Sequence, residues 1–162
     1  GKPTGKKDLA QIAMTSGHVY VAQVAMGANP AQTMKALVEA ESYDGPSLII
    51  AYAPCINHGI KAGMNRSMVE MKNAVRAGYW NLLRYDPRKA EAGLNPLSID
   101  SAKPNEDYKK FIKGEVRYAS LSMKNPEHAA QLYAESEKNA LGRYDSLMRR
   151  KDSLEPKEGQ AK

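Results

Sequence analysis

The side chain with the clearest chemical potential in this sequence is the thiol of Cys55, the single cysteine among 162 residues. It follows Pro54, directly after the uncharged apolar run 47–52. Such a run is typical of a strand buried on both faces. A reactive side chain at the end of a strand, entering a glycine-bearing loop, lies where open α/β sheets usually bind ligands. The spacing therefore favours a functional cysteine on an α/β scaffold.

The segment around Cys55 is basic. No Asp or Glu occurs from 51 to 67, and the same interval contains three basic side chains: His58, Lys61 and Arg66. A positive, acid-free environment stabilises a thiolate or an anionic iron–thiolate cluster. Cys55 is thus a candidate nucleophile, redox sensor or single cluster ligand. The alternative is that it is a small buried apolar side chain, the commoner fate of a lone cysteine beside a strand.

The remaining chemical candidates are weaker. His58 could act as a base or ligand, but no carboxylate lies near it in sequence to orient it. The loop 59–63 lacks the GKS or GKT of a phosphate-binding loop, and TGKK at 4–7 is too short to interpret. Two further histidines carry less information, and six methionines are predicted core residues: His18, His128, Met14, Met26, Met34, Met64, Met68 and Met71.

Length and charge exclude several classes of protein. The chain suits one domain with a real core. No apolar run approaches the ~20 residues that span a bilayer, and the basic start leads into no apolar signal segment. The single cysteine suits a reducing, cytoplasmic setting. The net charge of +6 is spread among acidic residues, which favours a solvated surface over nucleic-acid binding.

The elements that position Cys55 are predicted from capping residues and periodicity. Asp8 predicts the start of a first helix, which ends at Ser16-Gly17. A β-rich run at 19–26 is followed by the helix start Asn29-Pro30 and a helix to about Ser42. That helix places Met34, Leu37, Val38 and Glu41 on one face. The strand 47–52 then completes a βαβ unit, which indicates two parallel strands with a right-handed crossover.

The second half is predicted to be less regular. A helix over 67–77 and a third strand over 79–85 complete a doubly wound, mainly parallel sheet. Residues 86–104 are predicted to form an irregular arm. Helices follow over 105–121, interrupted at Gly114, and from Asn125-Pro126 onwards. The predicted division is 1–86 for a partial α/β domain, 87–151 for the arm and helices, and 152–162 for a disordered tail.

Several segments together resemble one protein family. These are TGKKDLAQIAM, GHVYVAQVAMGANPAQTMKALVEAESYDGPSLIIAYAPCINHGI, GYWNLLRYDP, NPLSIDS and KGEVRYASL. They resemble, in order and from residue 4 to about 150, the carboxyl-terminal part of pyruvate:ferredoxin (flavodoxin) oxidoreductase. The resemblance implies a fragment that includes part of a thiamine-diphosphate-binding domain.

The resemblance also implies an activity. The family oxidatively decarboxylates pyruvate with coenzyme A, giving acetyl-CoA and CO₂, and passes electrons to ferredoxin or flavodoxin. It uses thiamine diphosphate with Mg²⁺ and three [4Fe–4S] clusters. The cysteine of its IAYAPCINHG segment, here Cys55, is the fourth ligand of the cluster nearest the thiamine. A homodimeric whole enzyme is expected, with no nucleic-acid or membrane partner.

The same comparison shows what this chain lacks. The family's other three ligands to that cluster, its GDG-type thiamine and magnesium motif, and its pyruvate- and CoA-binding domains have no counterpart in the sequence. We therefore expect the chain to be inactive alone. Two alternatives stay open: a member of the same family acting on another 2-oxoacid, or a non-catalytic α/β interaction module in which Cys55 is structural.

Overall fold

The fold is given by a computed structural model that describes residues 7–156. Along the chain the elements are α1 (Leu9–Met14), β1 (Tyr20–Val24), α2 (Pro30–Glu41), β2 (Ser47–Ala51), a 3₁₀ turn (Met64–Arg66), α3 (Ser67–Arg76), β3 (Leu83–Tyr85), α4 (Pro87–Glu91), β4 (Leu97–Ile99), α5 (Tyr108–Gly114), α6 (Val116–Lys124) and α7 (Pro126–Ser153). The predicted α/β class is confirmed. The predictions for residues 1–6 and 157–162 fall outside the described residues.

The sheet has the strand order β2-β1-β3-β4. β1 and β2 are parallel and are joined by α2, as the βαβ prediction required. However, β1–β3 and β3–β4 are antiparallel. The described sheet is therefore mixed, and the prediction of a mainly parallel sheet was wrong for this part of the chain.

The reversal of β3 has a geometric cause. The start of α3 lies against the end of β1, because a Cβ on Gly27 would fall 2.3 Å from the Met68 carbonyl oxygen. After α3, the Trp80 indole donates a hydrogen bond to the Val24 carbonyl, also at the end of β1, at 3.1 Å. The connection between β2 and β3 thus begins and ends near the carboxyl end of β1. β3 starts from that end of the sheet and must run opposite to β1.

β2 is an edge strand of the described sheet. Its central residues Leu48, Ile49 and Ile50 are only half-buried, and both ends are exposed. The prediction of a strand buried on both faces was wrong here. By contrast, β1 is almost wholly buried, since it lies between β2 and β3.

The predicted helix starts are confirmed. Asp8 Oδ1 accepts a hydrogen bond from the Gln11 amide at 3.0 Å, and the Asn29 and Asn125 side chains cap α2 and α7 in the same way. Such caps satisfy amides that have no partner within the helix. The buried residues of α2 are Gln32, Thr33 and Ala36, which lie outside the face that carries Leu37 and Val38.

The predicted irregular arm contains two short elements, α4 and β4. Beyond it, the helix interrupted at Gly114 is confirmed as the pair α5 and α6. α7 buries Leu147 in a cluster with residues of α1, β1, β3 and β4, and Leu154 packs against the same cluster. In the structure α7 thus extends to Ser153, into the first residues of the predicted tail. No helix in residues 7–156 has the length and apolar character needed to cross a membrane.

Candidate functional site

Cys55 lies four residues past the end of β2, in the loop that leads to α3, and its side chain is exposed. The loop turns immediately after it, since the amides of His58 and Gly59 both donate to the Cys55 carbonyl, at 3.2 and 2.9 Å. Ile56 is exposed beside it. The thiol is thus presented outward on a backbone whose local conformation is fixed by two hydrogen bonds.

Residues 52–63 are called the Cys55 loop. The part of this loop that follows Cys55 is hydrogen-bonded to the junction of α5 and α6. The Lys61 amide donates to the Gly114 carbonyl at 2.9 Å, and the Val116 amide donates to the Gly59 carbonyl at 3.1 Å. Between them, Ile60 forms an antiparallel bridge with Glu115. These bonds anchor a long connection that would otherwise be free at its middle.

The three basic residues predicted to surround Cys55 are exposed: His58, Lys61 and Arg66. Within residues 7–156, no side-chain hydrogen bond or ion pair joins them to the thiol. His58 and Lys61 lie in the same loop as Cys55, and Arg66 lies in the 3₁₀ turn that follows it. The three side chains do not form a built catalytic group. The ring of His18 bonds to the Ser16 carbonyl at 2.9 Å, away from this loop.

Sequence reasoning missed two carboxylates near the loop. Glu70 of α3 and Glu115, between α5 and α6, are both buried. The Tyr52 hydroxyl, at the start of the Cys55 loop, donates to Glu115 Oε1 over a long 3.4 Å. Burial, and then the charge of Glu70, raise the pKa of Glu115. The interval 51–67 is acid-free in sequence, yet other elements bring acids beneath it.

Aromatic rings complete the base of the loop. The Tyr52 ring lies 5.7 Å from Trp80 and 5.9 Å from Tyr79, centroid to centroid. Tyr79 in turn lies 5.1 Å from Phe111 and bonds through its hydroxyl to Tyr118 at 3.0 Å. These rings join the cluster formed by α3, α5, α6 and α7. The rigid base fixes where β2 ends and therefore where Cys55 emerges.

The donor set limits what the site can bind. A [4Fe–4S] cluster is normally held by four cysteine thiolates, and this chain has one cysteine. Within the described residues, no group of three or more His, Cys, Asp or Glu side chains could hold a metal ion. An exposed thiol at a strand end fits a single ligand to a cluster that is completed from outside this segment.

A groove of about 990 Å³ lies elsewhere, between α7 and the sheet. Gln23, Ile50 and Trp80 line its sheet side, and Leu132 and Leu141 line its helix side. No residue of the Cys55 loop contributes to its lining. The groove therefore does not reach the Cys55 loop itself, although Tyr79 and Trp80 at the base of that loop also line it.

Comparison with known proteins gives long, strong similarities. No family model matches the chain. The chain is 52% identical over 149 residues to a pyruvate-flavodoxin oxidoreductase of Klebsiella pneumoniae, covering 92% of this chain and 13% of that protein. It is 56% identical over 145 residues to a pyruvate:ferredoxin oxidoreductase of Moorella thermoacetica, covering 90% and 12%. A mitochondrial pyruvate dehydrogenase [NADP(+)] of Euglena gracilis is 46% identical over 149 residues, covering 92% and 8%.

The chain is similar to one segment of each of these longer proteins. It spans only about an eighth of the length of the first two relatives. This similarity agrees with the resemblance to the pyruvate:ferredoxin (flavodoxin) oxidoreductase family that the motifs along the chain indicated.

Proposed function

We propose that this chain is the part of a pyruvate:ferredoxin (flavodoxin) oxidoreductase that supplies Cys55 as the fourth ligand of the proximal [4Fe–4S] cluster. The whole enzyme oxidises pyruvate with coenzyme A to acetyl-CoA and CO₂. The observation that carries the proposal is the 52–56% identity over about nine tenths of the chain to proteins named for this activity. The exposed thiol at the end of β2 supports the ligand role.

The residues of this chain have a positioning role in that activity. Thiamine diphosphate with Mg²⁺ supplies the carbanion chemistry of decarboxylation, and the cluster carries the electrons. β1 and α2 fix the end of β2, the bonds to Gly59 and Lys61 anchor the loop, and Cys55 binds iron through its thiolate. No residue of this chain is assigned to thiamine diphosphate, Mg²⁺ or coenzyme A.

The partners follow from the same proposal. The first is the remainder of the same polypeptide, which supplies the other three cluster ligands and the thiamine motif. The second is ferredoxin or flavodoxin as electron acceptor, within a homodimeric, cytoplasmic enzyme. A single exposed thiol on an oxygen-sensitive cluster suits a reducing compartment. The chain alone is inactive on this proposal, because one thiolate cannot hold the cluster.

Two rival functions are less well supported. A different 2-oxoacid substrate is disfavoured by the relatives' names, which all specify pyruvate. A free-standing interaction module with a structural cysteine is disfavoured by the exposed thiol. The acceptor is not decided by this segment, since similar segments occur in proteins named for flavodoxin, ferredoxin and NADP(+).

The test is Cys55→Ala in the full-length enzyme, with His58→Ala as the matched control in the same loop. We expect the alanine variant at 55 to lose or alter the electron paramagnetic resonance signal of one cluster and to reduce ferredoxin or flavodoxin slowly. The control should keep both. An unchanged spectrum and rate in Cys55→Ala would refute the ligand role.

A further inference from the structure

The buried acids beneath the Cys55 loop are not used by the proposed function. Glu70 and Glu115 are 7% and 6% exposed. Glu70 Oε1 is buried without a hydrogen-bond partner in the described part of the chain, while Oε2 accepts from Asn73 Nδ2 at 3.2 Å. A buried carboxylate oxygen without a partner is costly when the group is ionised. This unpaired atom is the observation that points to a missing ligand.

The unpaired oxygen of Glu70 lies beside Gly114 at the α5–α6 junction. Oε1 lies 3.3 Å from the position that a Cβ on Gly114 would occupy, which is the residue before Glu115. The charge of Glu70 raises the pKa of Glu115 and also that of Tyr52, whose main cause is burial. The two carboxyl groups and the Tyr52 hydroxyl therefore form one electrostatically coupled site, drawn from α3, the α5–α6 junction and the end of β2.

No cation neutralises this site within residues 7–156, where none of the ion pairs includes Glu70 or Glu115. Arg117 is near enough to lower the pKa of Glu115, but its guanidinium is placed over the Tyr118 ring. Tyr118 further raises the pKa of Tyr52. Two close buried carboxylates without a cation disfavour double ionisation, so one of them takes up a proton more readily than a surface carboxyl group.

We infer that Glu70 and Glu115 form a proton-binding site that takes up a proton when an electron arrives at the cluster on Cys55. Glu115 holds the proton, since its carboxyl group is buried and its backbone is bonded to the Cys55 loop. The electron comes from the 2-oxoacid that is oxidised, and the proton comes from water. This coupling rests on the proposed function.

The physical basis is charge compensation. An electron added to the cluster increases the negative charge above the loop, which favours the protonated form of a carboxyl group below it. By linkage, protonation of that group makes reduction easier. The midpoint potential of the Cys55 cluster should therefore fall as pH rises through the range in which Glu115 titrates, which lies above the ordinary Glu pKa of about 4.3.

The experiment is redox-triggered infrared difference spectroscopy on the full-length enzyme. We expect reduction to produce the carbonyl stretch of a protonated carboxyl group in the wild type. This band should disappear in Glu115→Gln and remain in Glu135→Gln, which removes an exposed carboxylate of α7. In Glu70→Gln, loss of the like charge should lower the pH range in which the band appears. A purely structural role of Glu70 would not produce this effect.

A band that persists in Glu115→Gln would overturn the inference. A wild-type cluster potential that is independent of pH, or that follows the Na⁺ or K⁺ concentration instead, would also overturn it, because a cation rather than a proton would then neutralise the site. Failure of the proposed function is recognised separately: Cys55→Ala would leave the cluster signal intact. A pH titration of the stability of the chain tests the proton site without any cluster.

Discussion

Arg84 and Asp100 form a bidentate ion pair, in which Nε donates to Oδ2 at 2.8 Å and Nη2 donates to Oδ1 at 2.9 Å. Nη1 of the same guanidinium donates to both oxygens of Glu39, at 2.6 and 2.8 Å. The Tyr20 hydroxyl completes the network by donating to Glu39 at 2.9 Å. One arginine in β3 thus ties α2, β1 and the chain after β4 together.

Replacing this arginine should be strongly destabilising. The Arg84 side chain is 8% exposed, so Arg84→Met would leave two partly buried carboxylates unpaired. Removing one partner of a buried ion pair costs about 3–5 kcal/mol. The free energy of unfolding can be measured in urea through the fluorescence of Trp80, the single tryptophan.

The control is Arg76→Met. Arg76 pairs with Glu106 over 3.7 Å, with both side chains about half exposed. Exposed pairs contribute about 0–1 kcal/mol, so this variant should unfold nearly as the wild type does. Equal losses in the two variants would show that the buried network is not a special source of stability.

The sequence predicted the elements of this fold better than their packing. Capping residues and Pro at helix starts act locally, so the starts of α1, α2 and α7 were predicted correctly. β4 has only three residues, too few for a periodic signal. The Arg84 network could not be predicted, because Glu39 and Asp100 are distant in sequence and meet only after β1 and β3 pair.

The burial of apolar helix residues could not be predicted reliably from the sequence. The pattern placed Met34, Leu37, Val38 and Glu41 on one face of α2, and the three apolar residues of that face are 54%, 45% and 63% exposed. Periodicity identifies an apolar face without identifying the segment that covers it. Among the six methionines, Met14 is buried as predicted, whereas three others are exposed: Met26, Met34 and Met68. Likewise, the acids near Cys55 were hidden because α3 and the α5–α6 junction supply them.

The exposed face of α2 yields a prediction about the whole enzyme. If the remainder of the polypeptide covers it, Val38→Lys should lower the stability of the full-length enzyme by about 1.5–3 kcal/mol, the contribution of one buried apolar side chain. The same change should reduce binding of a hydrophobic dye by the isolated chain. Lys35→Gln on the same helix is the control. A full-length enzyme indifferent to Val38→Lys would mean that this face stays in solvent.

A close approach of two backbones yields a second stability prediction. A Cβ on Gly27 would lie 2.3 Å from the Met68 carbonyl oxygen and 2.7 Å from the Met68 Cα. Gly27→Ala must therefore separate β1 from α3, at a cost of about 1–3 kcal/mol or more. Gly142→Ala is the matched control within α7, where nothing lies within 4 Å. It should stabilise the chain by about 0.5–1 kcal/mol. Urea unfolding should therefore give shifts of opposite sign.

The raised pKa of Glu115 predicts a pH dependence of stability. The folded chain binds this proton more tightly than the unfolded chain does, so its contribution is fully present below the unfolded pKa of about 4.3. The contribution is lost as pH rises through the higher folded pKa. Glu115→Gln should remove this decline and unfold at higher urea concentration than the wild type at neutral pH. A wild type and variant with parallel pH profiles would contradict the proton site.

The state of the Cys55 thiol tests the ligand role without any activity measurement. Its exposure in the structure predicts that the isolated chain reacts with a maleimide about as fast when folded as in urea. A buried, structural cysteine would react much more slowly when folded. If Cys55 is the cluster ligand proposed above, the same thiol should be protected in the full-length holoenzyme.

The protection can be assigned to Cys55 by mass spectrometry of the peptide that contains it. Removing iron with a chelator should restore labelling of that peptide, since the loop itself leaves the thiol open to solvent. His58→Ala should not alter the pattern, because no hydrogen bond joins the His58 side chain to Cys55 in the described residues. Rapid labelling of Cys55 in the holoenzyme would show that its thiol is not bonded to the cluster. It would favour the alternative of a free-standing interaction module.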